Sequence, residues 1–399
     1  MNKKLLAIAV AAFSTNAFSA AHLLPELGSV NASTAGAGSA ALAGSALTAW
    51  TNPAGMSQLE EANLTVNVAA LGTSVDFTDK GSALPGDDNI DAGGWAPVAS
   101  MYFVTPINDQ FHAGIALASQ GGSGVDYGNN FSGGFLLENV EFMTVQLMPS
   151  VSYKVNEKLA LGVSANIEYL TANGELDLLS DLSPGLLSAD ANDLTVGYSL
   201  SAFYKINEKH RLGVIYRSEL SHYGEGDLEQ TASDLKTDVG LDFIMPQHVQ
   251  VSGVHTVAPK WDMLWSVIWY DLSTWTDLTL DVGDLDLPAI VVRDFDDVWN
   301  FAIGTHYQLS DQWRLETGIS YETSPQDNPE NQYMDLPVGE TKRIGFGTTY
   351  QLNEQWQLKG YYDYIDLGSP DINYQGGLVK GSYDNSAHFV GFQANFKFK

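Results

Sequence analysis

Few side chains in this chain of 399 residues are spaced to do chemistry. The eight histidines (His22, His112, His210, His222, His248, His255, His306 and His388) show no metal-ligand spacing and no His-Glu-x-x-His. No Gly-x-Ser-x-Gly elbow accompanies them, so neither a metal centre nor a nucleophile is expected. Asp87, Asn89 and Asp91 alternate as calcium ligands do, yet Ala92 replaces the glycine such a loop needs and no Glu closes it. Gly36-x-Gly38-x-x-Ala41 lacks the strand and helix of a dinucleotide loop. No catalytic residue, metal or cofactor is therefore assigned. Four cations remain, Arg217, Arg314, Arg343 and Lys359, each on the polar side of an alternating stretch. A cation there either binds the carboxylate of a ligand or neutralises acids on the same faces, such as Glu168, Glu316 and Asp363.

The stretches around them alternate with a period of two. Leu159, Leu161, Val163, Ala165, Ile167 and Tyr169 share one face, against Ala160, Gly162, Ser164, Asn166 and Glu168 on the other. Trp261, Met263, Trp265, Val267 and Trp269 repeat the pattern, as do Trp313, Leu315, Thr317, Ile319 and Tyr321 opposite Arg314, Glu316, Gly318, Ser320 and Glu322. A period of two means strands with one apolar side. They run about 10 to 12 residues, where soluble strands average about 5 to 6 and a tilted membrane strand needs about 9 to 11. Trp and Tyr close the apolar faces, so lipid lies on one side and a polar lumen on the other. No apolar run outside the N-terminus is long enough for a membrane helix, and mean hydropathy is only −0.09 because half of every strand is polar.

Six short turn sequences set the number of strands. Asn108-Asp109-Gln110-Phe111, Asn156-Glu157-Lys158-Leu159, Asn207-Glu208-Lys209-His210, Ala258-Pro259-Lys260-Trp261, Ser310-Asp311-Gln312-Trp313 and Asn353-Glu354-Gln355-Trp356 recur 43 to 52 residues apart. Asn, Ser, Asp and Pro supply turn chemistry, and each gap holds two strands and one long loop. Adding the strand before the first turn, the two after the last, and 64–77 predicts an all-β fold over residues 64–399. It is a 14-stranded antiparallel transmembrane β-barrel, with an even strand count as in single-chain bacterial barrels. Short turns then face the periplasm. The acidic stretches near 78–94, 121–139, 172–193, 223–245, 276–297, 323–340 and 368–384 face outward. Residues 1–20, with Lys3, Lys4, an apolar core and Ala17-Phe18-Ser19-Ala20, read as a signal peptide. Residues 21–63, rich in Ala, Gly and Ser, are left over. They form either a hatch in the lumen, which a 14-stranded barrel is wide enough to hold, or a periplasmic linker.

The chain has no cysteine, so barrel closure rather than disulfides must hold the fold. Its formal charge of −29 excludes nucleic acid as a partner. The acids concentrate in the outer loops, where they are solvated or bridge divalent ions to lipopolysaccharide.

The N-terminal run Ala35-Gly36-Ala37-Gly38-Ser39-Ala40-Ala41-Leu42-Ala43, followed by Asn52-Pro53-Ala54-Gly55, resembles the hatch of the FadL-type outer-membrane transporter family. Residues 145–162, from Val145-Gln146-Leu147-Met148-Pro149 through Asn156-Glu157-Lys158 to Gly162, are similar to that family's fourth strand, turn and fifth strand. The likeness spans essentially all the mature chain. It implies passive uptake of long-chain fatty acids or similar hydrophobic molecules across the bacterial outer membrane, through an external groove, a pocket beside the hatch and a lateral opening at the third strand. Partners implied are the substrate, outer-membrane lipid and lipopolysaccharide, and the barrel-insertion machinery, although the terminal aromatic, Phe398, stands one residue early. Asn52, Pro53, Ala54 and Gly55 are the hatch candidates. Gly121, Gly122 and Gly124, after a strand over 111–119, are the lateral-opening candidates, since glycine clusters permit bends; the other reading is a flexible start to a loop. Leu178, Leu179, Leu182, Leu186 and Leu187 are unexpectedly apolar for an outer loop, and form either the capture groove or a loop packed on itself. Arg217, Arg314, Arg343 and Lys359 are the carboxylate candidates. A hydrocarbon or aromatic-compound channel of the same fold, or a nonspecific porin or adhesin, are the alternatives.

Overall fold

A computed structural model describes residues 31–178, 185–230, 236–282 and 289–399, with backbone alone for 176–178, 185–187, 277–280, 282 and 289–290. The expected leader and residues 21–30 of the expected hatch lie outside the described residues.

Fourteen antiparallel strands close into one barrel. β1 (Asn63–Asp79) and β2 (Trp95–Pro106) are followed by β3, which is in two pieces, Phe111–Ala118 and Gly122–Asp126. β4 (Asn139–Lys154), β5 (Leu159–Leu178) and β6 (Gly185–Asn207) come next. β7 (His210–Arg217, Leu220–Gln230), β8 (Lys236–Met245, His248–Ala258), β9 (Trp261–Tyr270, Asp277–Val282) and β10 (Ala289–Val292, Val298–Gln308) are each interrupted once. β11 (Trp313–Glu322), β12 (Thr341–Gln351), β13 (Trp356–Gly368) and β14 (Val379–Lys397) complete the wall. β14 pairs back onto β1 from Asn63↔Lys397 to Asp79↔Gly381, so the sheet has no open outer edge there.

Alternation sorts the side chains as the period of two requires. Leu161, Val163, Val196, Leu200, Ile303 and Ile319 point out and are exposed, while Ser164, Asn166, Glu168, Glu316 and Asp363 point in and are buried. At the periplasmic rim the aromatic after a turn meets one on the neighbouring strand: Trp261 with Tyr307 at 4.7 Å, Trp313 with Tyr350 at 4.6 Å and Trp356 with Phe396 at 4.8 Å. Such a belt suits the lipid–water boundary.

The turn repeat has a hydrogen-bond cause. The Asn156 carboxamide oxygen accepts from the Lys158 and Leu159 amides at 2.8 and 3.0 Å, and Asn108, Asn207 and Asn353 do the same in their turns. Ser310 accepts from the Trp313 amide instead. One side-chain oxygen satisfies two amides that the tight reversal leaves unpaired.

Two expectations about the outer side change. The stretches 172–193 and 223–245 are largely strand rather than loop: β5 and β6 stay paired up to Leu178↔Gly185, and β7 and β8 pair from Leu220↔Met245 to Glu229↔Lys236. Residues 332–338 also leave the surface and turn inward. Gln332, Met334, Asp335, Leu336 and Val338 are all buried, and the Tyr127 hydroxyl donates to the Met334 carbonyl at 2.8 Å. Their apolar side chains gain more inside the barrel mouth than in water.

Residues 31–62 sit inside the barrel. They contain only short helical turns, at Ala32–Thr34, Thr48–Thr51 and Pro53–Gln58, and most of them are buried, packed on the inward faces of β2 through β13.

Candidate functional site

Glycine lets this segment lie directly on the wall. A Cβ added to Gly213 would stand 1.8 Å from the Ala40 carbonyl oxygen, one on Gly345 would stand 1.9 Å from that of Ala32, one on Gly318 2.2 Å from that of Thr34, and one on Gly162 2.3 Å from the Ala54 nitrogen. The wall is thus hollowed where the inner segment's backbone touches it. Within the segment Gly36 and Gly38 have φ of 81° and 80°, a conformation glycine adopts freely.

Of the four hatch candidates, Asn52 does the most. Its amide donates to the Ala40 carbonyl at 2.7 Å and the Ala202 carbonyl of β6 at 3.0 Å, and its oxygen accepts from the Ala54 amide at 3.1 Å. Pro53 opens the last helical turn, where its missing N–H costs nothing. Ala54 donates to Ser201 at 3.0 Å. Gly55 has no room for a Cβ, which would lie 2.4 Å from the Thr48 hydroxyl.

Above this segment lies a cavity. Its floor is inner-segment residues including Ala35, Trp50 and Thr51, and its wall includes Gln120, Arg217, His248, Tyr270 and Arg343. A second, apolar chamber lies next to it, with Leu272, Trp275, Phe295, Val298, Leu336 and Val338, and shares Tyr270 and Arg343 with the first. Phe142, Phe243, Trp275 and Phe295 form a row of ring contacts, 4.3 to 6.0 Å between centroids, beside that chamber. Arg293 and Asp335, a buried ion pair, tie the inturned residues 332–338 over it.

The four cations divide sharply. Glu316 takes two of them: Arg314 at 2.7 Å and Lys359 at 2.7 Å, with Thr349 and the inner segment's Ser33 also donating at 2.6 Å. Arg343 stands 3.5 Å from Glu322. Arg217 is different. Its guanidinium donates to the Trp50 carbonyl at 2.5 Å, to Gln120 at 3.2 Å and to Gln146 at 3.4 Å, and it lies 4.3 Å over the Trp50 ring. Among the described residues no carboxylate pairs with it, although it is 5% exposed. Glu168, one of the lumen acids considered as partners for these cations, is bonded to His222 and Gln146.

The wall is interrupted next to this cavity. Ser119, Gln120 and Gly121 of β3 stand opposite only two residues of β4, Thr144 and Val145, so one residue is in excess: a bulge. Thr144 donates to the Gly121 carbonyl through both amide and hydroxyl. Beyond the bulge Gly122–Asp126 pairs only with β4, while residues 95–100 of β2 pair only with β1. Among the described residues no ladder joins β2 to β3 there. Neither face of residues 122–125 is exposed, as expected of a strand turned in from the wall. Gly121 therefore lies in the bulge and Gly122 at its end, whereas Gly124 lies inside the strand, opposite Glu141.

Of the groove candidates, Leu179 and Leu182 lie outside the described residues. Leu178, Leu186 and Leu187 are described by backbone only, as the paired tips of β5 and β6. Sequence reasoning missed His222, His248 and Gln120, because a lone polar residue on a lumen face carries no motif. It also missed the glycine seat, although Gly162 and Gly318 fall on the polar side of the alternation and could have shown it.

The chain matches the family described as outer membrane protein transport protein (OMPP1/FadL/TodX) over residues 10–398. It is 26% identical to the long-chain fatty acid transport protein of Escherichia coli (strain K12) over 383 residues, covering 84% of this chain and 85% of that one. It is 24% identical to outer membrane protein P1 of Haemophilus influenzae over 377 residues, covering 80% and 81%. Among solved structures, a Pseudomonas aeruginosa FadL homologue superposes with a TM-score of 0.86 at 17% identity, covering 95% of this chain and all of that one. The Pseudomonas putida toluene transporter TodX superposes with a TM-score of 0.73 at 15% identity, covering 96% and 99%.

Proposed function

Because the chain belongs to the outer membrane protein transport family (OMPP1/FadL/TodX), we propose that it takes up long-chain fatty acids, holding the carboxylate head at Arg217 and the tail among the apolar side chains above it. Arg217 carries the reading: a buried guanidinium with no acid partner among the described residues, lining a cavity between the inner segment and an interrupted strand. A buried cation without an anion is costly, and a ligand carboxylate would remove that cost while gaining charge-assisted bonds. The long-chain fatty acid transport protein of Escherichia coli named above supports the same class.

The path follows from the solvent problem. A tail gains about 0.8 kcal/mol per CH₂ on leaving water, so it must travel along apolar surface. First contact is assigned to the leucines at 178, 179, 182, 186 and 187, on composition alone. The tail then enters the chamber of Leu272, Trp275 and Phe295, and the head reaches Arg217. Exit is sideways through the unpaired stretch between β2 and β3, governed by the hatch residues Asn52 to Gly55 and the bulge at Gly121 and Gly122. Transport runs down the gradient, for the sequence holds no nucleotide or coupling motif.

A neutral aromatic substrate is the second reading, favoured by the ring row from Phe142 to Phe295. Arg217→Met separates the two. Bonds to a charged partner are worth about 1.5–3 kcal/mol, so oleate binding to the purified barrel is expected to weaken about 10- to 100-fold, with toluene binding unchanged and Arg217→Lys between. Equal oleate affinity in parent and Arg217→Met would remove the headgroup assignment.

A further inference from the structure

Arg217 is kept from an acid by a definite arrangement. Glu168, with a side chain wholly shielded from solvent, is the acid bonded nearest to it, but one amide separates them: Gln146 donates to Glu168 Oε2 at 3.1 Å and accepts from Arg217 at 3.4 Å. The other oxygen of Glu168 is held by His222 Nε2 at 3.1 Å, and His222 Nδ1 is anchored by Asp193 at 3.0 Å. Asp193 also accepts from the Tyr223 amide at 3.3 Å, where the β6–β7 ladder is broken. The row Asp193, His222, Glu168, Gln146, Arg217 thus runs across four strands and ends on the Trp50 carbonyl of the hatch. Each carboxylate has a partner other than the guanidinium. The contrast is Glu316, which bonds two of the cations, Arg314 and Lys359, directly.

Resting on the headgroup reading above, we propose that His222 and Gln146 are positioning residues that hold Glu168 away from Arg217 and so keep that cation available to an anionic substrate. Without His222, the freed carboxylate can turn past the Gln146 amide and close an ion pair with Arg217. The anion site is then filled from within. A neutral hydrocarbon makes no use of the guanidinium and is indifferent to this.

The test measures oleate and a long-chain alkane binding to the purified full-length barrel. His222→Leu is expected to weaken oleate on the order of tenfold, since a buried cation paired with an internal acid must surrender it first. Alkane affinity stays at the parent value, and His222→Leu with Glu168→Gln restores oleate binding. Glu168→Gln alone, which keeps its bonding shape and loses its charge, tightens oleate. Loss of both ligands in His222→Leu, or no rescue in the double variant, means that His222 only packs the wall and overturns the proposal. Should His222→Leu not fold, unchanged oleate affinity in Glu168→Gln overturns it equally. If Arg217→Met weakens oleate and His222→Leu does not, this proposal fails while the headgroup reading stands; if Arg217→Met has no effect, the reading beneath it fails.

Discussion

Deleting Gly121 is expected to give a folded barrel that takes up fatty acid far more slowly. The bulge at residues 119–121 puts three residues of β3 against two of β4, so removing one brings the two halves of β3 into a single register with β4. The second half of the strand then continues in the wall, where its amides and carbonyls can reach residues 95–100 of β2, which now pair only with β1. Each ladder bond so gained is worth about 1 kcal/mol, so the change should not cost stability. Cells carrying the deletion should accumulate labelled oleate at least about tenfold more slowly, because the alternative route through the lumen exposes each CH₂ of the tail to water at about 0.8 kcal/mol. Heat-modifiable migration on gels reports whether the barrel has closed. A closed barrel with parental uptake would refute a lateral exit at β3, whatever the cavity binds.

Most of this geometry could be read from period and turn chemistry, and the rest could not for physical reasons. A face is fixed by parity, so the lumen positions of Glu168, Glu316, Asp363 and the four cations followed from counting along each strand. Partners are not fixed by parity. Which of several inward acids meets which cation depends on strand stagger, a cumulative property of all fourteen pairings, and so Glu316 could not be assigned to Arg314 and Lys359, nor Arg217 left without one. The bulge at β3 was half visible, since Gly121 and Gly122 signalled a bend but the excess residue shows only against β4. The long outer ends of β5 and β6 were misjudged as loop because acids and leucines there obscure the alternation. The inward turn of residues 332–338 had a signal in Met334, Leu336 and Val338, three alternating apolar residues in an otherwise polar stretch.

Gly213→Ala tests whether the inner segment seals the lumen. The added methyl would lie 1.8 Å from the Ala40 carbonyl oxygen and close to the Asn52 amide that bonds it. Ordinary contact between such atoms needs about 3.5 Å, so the inner segment must move by more than about 1 Å or lift off. Asn52 then loses its bond to Ala40, and a buried amide left unpaired costs about 1–3 kcal/mol. That is enough to shift a seated population by about tenfold or more. The barrel itself should survive, because β7 keeps its backbone ladder to β6 and β8 and the change lies on the inner face. Liposomes carrying Gly213→Ala should therefore admit a small sugar that the parent excludes, and Gly345→Ala, aimed 1.9 Å from the Ala32 carbonyl oxygen on the other side of the lumen, should add to the leak. Gly360→Ala, where an added Cβ meets nothing, should stay sealed. If the sugar is excluded from all three, the glycine ring does not seat the hatch. Rapid sugar flux through the parent would instead favour a nonspecific pore. The direction of the expected leak matters for mechanism: a plug seated by backbone contact at glycines and pinned through Asn52, Arg217 and Ser33 opens either by moving as a body or by letting the substrate leave sideways. The bulge at residues 119–121, whose Gln120 bonds Arg217, stands beside the cavity and is why the sideways route is the one we propose.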